Sequence, residues 1–360
     1  MPLHSEVKPL FPQTQLPHLQ NITPNFLPTM PPSPKPLISH IYTADPSAHV
    51  FNDRIYIYPS HDISTDIRDN DNGDQYAMTD YHVFSTPSLR SSSPPAVVTD
   101  HGPVLSLSQI PWAAKQLWAP DAAAKNGKYY LYFPARDMAG VFRIGVAVGE
   151  APEGPFRAEP APIPGSYSID PAAFVDEDGA AYLYFGGVWG GQLQCWRGED
   201  FNGDAYEEME ARGEEAALRP RVARLREDML GFDEDGVREV EILMPDGTPV
   251  PAGDREKRFF EASWVHKRGG VYYFSYSTGD SHLLIYATGG SPLGPFTYRG
   301  VILRPVVGWT THHSIVEFEG RWWLFYHDAS LSGGVNHLRC VKVREIWYDA
   351  EGAIRLMDEQ

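Results

Sequence analysis

The 360-residue sequence contains only two cysteines, Cys195 and Cys340. That is too few for a disulfide framework, and each reads as a small buried side chain. No run approaches the ~20 apolar residues of a membrane helix, so no membrane partner is expected. Basic residues are scarce, 30 against 47 acidic, giving a formal net charge of −17. A phosphate backbone needs a basic face, which excludes nucleic acid as a partner and favours a neutral ligand. Helical periodicity is nearly absent. The one exception, a charged stretch from about Glu207 to Arg226, reads as a surface insertion with some helix.

The first residues lack a basic segment followed by an apolar one, so they do not read as a secretory signal, and a cytoplasmic location is expected. They hold instead ten prolines between Pro2 and Pro36. Residues 1–37 therefore read as an extended arm with no core of its own, and residues 38–360 as one domain.

Turn residues and aromatics are abundant, and they repeat. A polar residue, a short strand, a tight turn and an aromatic strand recur five times. Asp45 precedes a turn at Asn52-Asp53 and the strand Ile55-Tyr56-Ile57-Tyr58. Asp121 precedes Asn126-Gly127, Asp170 precedes Asp178-Gly179, Glu261 precedes Gly269-Gly270, and His312-His313 precedes Glu319-Gly320. Turns of this composition between apolar runs are strong hairpin signals. Two further copies, Gly145–Val148 before Pro152-Glu153-Gly154-Pro155-Phe156 and Ile285–Thr288 before Pro292-Leu293-Gly294-Pro295-Phe296, read as third strands followed by a turn and a fourth. Five four-stranded units make an all-β, five-bladed β-propeller. A β-sandwich would explain the hairpins, but it would scatter the polar residues that here recur at one phase.

In a propeller those polar residues face one central channel, so Asp45, Asp121, Asp170, Glu261, His312 and His313 approach the same axis. Gathering carboxylates costs repulsion and desolvation, which calls for a compensating role. Two carboxyls across a sugar-sized gap are the minimum for glycoside hydrolysis, and a third can tune the acid.

The segments Ala44-Asp45-Pro46-Ser47, Trp118-Ala119-Pro120-Asp121, Ile169-Asp170-Pro171, Phe260-Glu261-Ala262-Ser263 and Thr311-His312-His313-Ser314 resemble, in order, the blade-opening motifs of glycoside hydrolase family 43. The resemblance runs from about residue 40 to 355. It implies a five-bladed propeller that hydrolyses glycosides with inversion, with Asp45 as general base, Asp170 tuning and orienting the acid, and Glu261 as general acid. It also implies that Arg339 binds sugar hydroxyls. A structural calcium in the central channel near His312, with His313 as the fallback ligand, is implied too, while the chemistry itself requires no cofactor.

Several readings stay open. Asp121 either binds substrate or holds a loop beneath the site. His61-Asp62 is expected at the pocket rim, with Asp62 the rival to Asp45 as base. Trp118, Trp189, Trp264 and Trp309 are candidate sugar platforms or core residues. The segments Ser275–Asp280 and Gly308–His313 resemble the β-xylosidase-like branch, implying release of terminal xylose from β-xylosides and xylo-oligosaccharides. The alternatives are an α-L-arabinofuranosidase, or a non-catalytic sugar-binding or docking propeller. A homo-oligomer is compatible with the sequence.

Overall fold

In the computed structural model, the described residues are 34–90, 97–198, 200–205 and 213–356. The proline-rich segment expected as an arm lies outside them up to residue 33. Residues 34–37 are tied to the propeller, Leu37 N–H donating to the Val341 carbonyl and Lys342 Nζ to that of Pro34.

Among the described residues the chain folds into five sheets in sequence order, one per blade, antiparallel but for one added outer strand. Blade one holds β1 (Tyr42–Phe51), β2 (Arg54–Asp62), β3 (Asp80–Thr86) and β4 (Thr99–Ser106). In blade two the inner edge is split between β5 (Ala113–Lys115) and β6 (Asp121–Lys125), followed by β7 (Lys128–Asp137), β8 (Phe142–Gly149) and β9 (Arg157–Ala158). Blade three is β10 (Ala172–Val175), β11 (Ala181–Phe185), β12 (Arg221–Leu225) and β13 (Phe232–Glu239). Next come β14 (Ile242–Leu243), which adds a parallel outer strand to blade four, and β15 (Glu261–Arg268), β16 (Val271–Ser277), β17 (Leu284–Gly289) and β18 (Phe296–Leu303). Blade five is β19 (His313–Phe318), β20 (Arg321–Asp328), β21 (Cys340–Tyr348) and β22 (Ile354–Leu356).

Four of the five expected hairpins close on two residues, both with positive φ: Asn52-Asp53, Asn126-Gly127, Gly269-Gly270 and Glu319-Gly320. That is the twist-matched geometry these residues favour. The third differs. Val175 pairs with Ala181, and the loop between them turns through Gly179 N–H to the Asp176 carbonyl, so only Gly179 of Asp178-Gly179 is left-handed. The helix expected near 207–226 is corrected where it can be seen: Arg221–Leu225 is strand β12, because Val222, Ala223 and Leu225 are buried in blade three.

Aromatic second strands stitch the blades together. Tyr58 on β2 donates to the Pro152 carbonyl of blade two at 2.6 Å, Tyr132 on β7 to Met229 of blade three at 2.9 Å, and Tyr184 on β11 to Pro292 of blade four. Each ring is buried between sheets, and its hydroxyl finds a carbonyl that burial would otherwise leave unpaired. The ring closes where β1 meets blade five, through Thr43 N–H to the Arg339 carbonyl and Ala48 N–H to Ser314 Oγ. Cys195 and Cys340 are buried and unlinked, as expected. No helix among the described residues is long and apolar enough to cross a membrane.

Candidate active site

At one end of the channel lies a pocket of about 640 Å³, its open mouth included. Its lining contains eight of the thirteen residues singled out from sequence: Asp45, Asp170, Glu261, Trp118, Trp189, Trp309, His312 and Arg339. Backbone irregularities aim the carboxylates. Asp45 occupies a bulge where the β1–β2 register shifts between Ala44 and Ser47, and its φ is +49°. The β15–β16 register shifts between Glu261 and Trp264, with Ala262 at φ +63°. Asp170, just before β10, has φ +55°. Bulges re-aim side chains beside active sites, and left-handed non-glycine residues store strain there.

Asp45 is the most heavily held of the three. Its Oδ1 accepts from Arg339 Nη1 at 3.0 Å and its Oδ2 from Ser60 Oγ at 2.7 Å. Its backbone N–H donates to His327 Nδ1 at 2.9 Å, which leaves the His327 proton on Nε2, 3.0 Å from the Thr310 carbonyl. Burial alone would raise the Asp45 pKa, but the fixed charge of Arg339 outweighs it and holds the group far below the usual carboxylate range. Asp45 is therefore an anion at any working pH.

Asp170 and Glu261 behave oppositely. Burial raises both, Asp170 also through the neighbouring Glu261 and Asp45, and Glu261 through Asp45, to about 8. The two titrate as a pair that still holds a proton at neutral pH. Asp170 Oδ2 accepts the Ala262 N–H at 2.9 Å, a bond that favours its ionised form and links it to the residue next to Glu261. Glycine makes room for this. A Cβ on Gly187 would lie 2.5 Å from Ile169 Cδ1 and 3.2 Å from Glu261 Cβ.

His312 Nδ1 stands 3.7 Å from Asp45 Oδ1 and 3.8 Å from Asp170 Oδ2, and burial lowers its pKa to about 4, so it is neutral. Trp118 Nε1 donates to the Tyr76 carbonyl, and Trp189 stacks on Trp309 with centroids 5.9 Å apart, all four residues lining the pocket. Trp264 is core instead, its Nε1 donating to Ile315 O.

Besides Trp264, four expected site residues lie outside the lining. Asp62 is not at the rim: it is buried and grips Arg339 through a two-pronged pair, Nε–Oδ2 and Nη2–Oδ1 both at 2.8 Å. That engagement removes Asp62 as a rival base. It also gives Arg339 a job in positioning Asp45 in addition to facing the pocket. His61, on the opposite face of β2, pairs with Asp80. Asp121 lies beneath the site, accepting from Ala122 N–H at 2.7 Å and Ala173 N–H at 2.6 Å, with His49 Nε2 at 2.6 Å. His313 turns its Nε2 to Ser275 Oγ at 2.6 Å. It opens β19, one residue after His312, and does not reach the pocket.

The sequence reading missed the loop between β2 and β3. Asn70, Gly73, Gln75 and Tyr76 line the pocket, and Arg136 Nη2 fixes the loop by reaching the Asn72 carbonyl at 2.9 Å. No repeat signal marks this loop. His327 and Ser60, which bond Asp45 from neighbouring strands, and Thr310, which bonds His327 and Arg339 from the loop before β19, were also missed, since they carry no motif of their own.

A protonated carboxyl pair facing a permanently ionised carboxylate, deep in a propeller's axial pocket, is the equipment of a glycosidase. The chain belongs to the glycosyl hydrolases family 43, whose family model matches residues 34–354. It is 66% identical over 323 residues to a xylosidase/arabinosidase 43A of Humicola insolens, covering 89% of this chain and 98% of that protein. A family 43 β-xylosidase/α-arabinofuranosidase from a compost metagenome, solved with xylotriose in a calcium-free form, superposes with a TM-score of 0.86 at 57% identity, covering 89% of this chain and 96% of that one. A family 43 enzyme of Xanthomonas citri complexed with xylotriose gives 0.83 at 54%, covering 89% and 92%.

Proposed function

We propose that this chain releases terminal xylose from β-xylosides and short xylo-oligosaccharides with inversion, and accepts α-L-arabinofuranosides as a second substrate class. The carrying observation is the split ionisation of the three pocket carboxyls. Asp45, kept charged by Arg339, is suited to take a proton from water. Glu261, pushed up by burial and by Asp45, is suited to give one to the departing oxygen. Asp170, tied to the Ala262 N–H, steadies the strand start that carries Glu261 and sets its proton affinity. The Trp189–Trp309 stack and Trp118 supply apolar faces for the sugar rings. Relatives named for both pentosides support the two substrate classes.

The donor set around His312 fits a calcium ion held mostly by water. It offers one neutral imidazole, with the Asp45 and Asp170 carboxylates close enough to accept from the ion's waters. Bound there, the ion would add positive charge beside those carboxylates. His313, engaged with Ser275, would not ligate it.

Hydrolysis of nitrophenyl β-xyloside and nitrophenyl α-L-arabinofuranoside tests the proposal. Both should turn over, the xyloside faster. Turnover of neither would return the molecule to the reading of a binding or docking propeller.

A further inference from the structure

Outside the pocket, three metal-ligating side chains converge where β2 ends and β3 begins. His61, Asp80 and His82 each present one donor atom, all within 4.8 Å of one another. Asp80 and His82 share a face of β3 because they are two residues apart. His61 comes from the neighbouring strand, its ring 4.8 Å from that of His82 between centroids. All three are partly exposed, so an ion can reach them from solvent.

Two hydrogen-bonded pairs, His61 with Asp80 and His82 with Asp100, would account for the contacts taken singly. The arrangement as a whole does more. His82 Nδ1 lies 3.1 Å from Asp100 Oδ1, and Asp100 is itself fixed by His40 Nε2 at 2.7 Å and the Gly102 N–H at 2.7 Å. A carboxylate that takes one imidazole N–H sets the tautomer and leaves the other ring nitrogen as a lone pair, which is how metal-ligating histidines are usually braced. An ion at roughly 2.0–2.2 Å from each donor would draw together three donor atoms that already lie within 4.8 Å of one another. The short His61–Asp80 hydrogen bond, 2.5 Å, is the contact an ion would replace, the imidazole proton leaving to solvent.

We propose that His61, Asp80 and His82 form a binding site for a divalent cation of the zinc class, distinct from the axial pocket. Two imidazoles and one carboxylate suit zinc, cobalt or nickel rather than calcium, which prefers oxygen throughout. Water completes the coordination. The site is coupled to the pocket through one peptide bond: His61 adjoins Asp62, whose carboxylate grips Arg339, which in turn holds Asp45. Its ion therefore braces the end of β2, and its main effect is on stability.

The experiment uses the full chain stripped with EDTA and titrated with zinc chloride by calorimetry, with melting followed in parallel. The unaltered protein should take up one equivalent and melt at a higher temperature with zinc than without. His82→Gln and Asp80→Asn should each lose at least about tenfold in affinity and most of the zinc-dependent melting shift. In EDTA, His82→Gln should turn over nitrophenyl xyloside as the parent does. His312→Ala should retain zinc uptake, which separates this site from the axial one. The proposal is overturned if the stripped parent binds no zinc, if both β3 variants bind it as the parent does, or if uptake disappears with His312 instead.

Discussion

At the scale of single residues, the site is a contest between one cation and three buried carboxyls, and Arg339 decides it locally. It reaches Asp45 directly and grips Asp62 and Thr310 with the rest of its fork, so Asp45 ionises while Glu261 does not. Glu261→Gln should therefore lose roughly 10²-fold or more on xylobiose, whose leaving group needs protonation, and much less on an activated aryl xyloside. The same variant carries a stability signature. A carboxyl whose folded pKa is raised favours the folded state only below its unfolded pKa, and that contribution disappears as pH rises toward about 8. Removing it should leave melting near pH 4 little changed and raise it, relative to the parent, at pH 8 to 9, as calorimetric scans at the two pH values would show. The carboxylates were legible in sequence because each opens a blade at the same phase. Asp121 opens a blade too, yet it is spent on Ala122, Ala173 and His49. Asp121→Ala leaves the Ala122 and Ala173 N–H groups and His49 without their buried partner, and a loss of about 3–5 kcal/mol is expected, seen as a lower melting temperature. A raised KM with unchanged melting would instead make Asp121 a sugar ligand.

At the scale of strands and loops, catalytic geometry depends on where the ladder fails. The bulges at Asp45 and after Glu261 turn side chains that strict alternation would leave in the sheet. Asp-Pro hinted at the first of these. Nothing in Glu261-Ala262-Ser263 announces the second, since alanine rarely adopts φ +63° and the pull comes from Asp170 on another blade. Asp178-Gly179 misled for a related reason: Asp and Gly suit both a two-residue turn and the longer loop that begins at Asp176, whose side chain takes Lys267 and Tyr272 of blade four. Gly187 tests whether the packing behind Glu261 matters. In Gly187→Ala the new methyl would meet Ile169 at 2.5 Å and press on Glu261. Turnover should fall at least about tenfold, because misplacing a catalytic group by ~1 Å is that costly. A merely structural defect would lower melting and leave kcat per folded molecule intact, so both are measured on the same preparation.

For the whole molecule, the ring sets which carboxyls can face each other. Repeat counting gave the five blades, because each hairpin buries its aromatic strand only against a neighbour. It could not give the closure by residues 34–37 and Thr43, which depends on contacts nearly 300 residues apart. Asp45 comes from blade one and Glu261 from blade four, two steps apart around a ring of five, so they approach the pocket from different sides. Positions of that kind suit the wider separation of about 6.5–9.5 Å, which admits a water between base and anomeric carbon, better than the ~5 Å of a retaining pair. The networks agree. Asp45 is wrapped by Arg339, Ser60 and His312, which fix its carboxylate in place to orient a water for attack. Proton NMR of the first sugar released from a β-xyloside should therefore show α-xylose before mutarotation. Asp45→Asn should fail on activated and unactivated substrates alike, since a better leaving group does not replace a base. If β-xylose appears first, Asp45 attacks carbon directly, and the water-sized gap inferred from the ring is wrong.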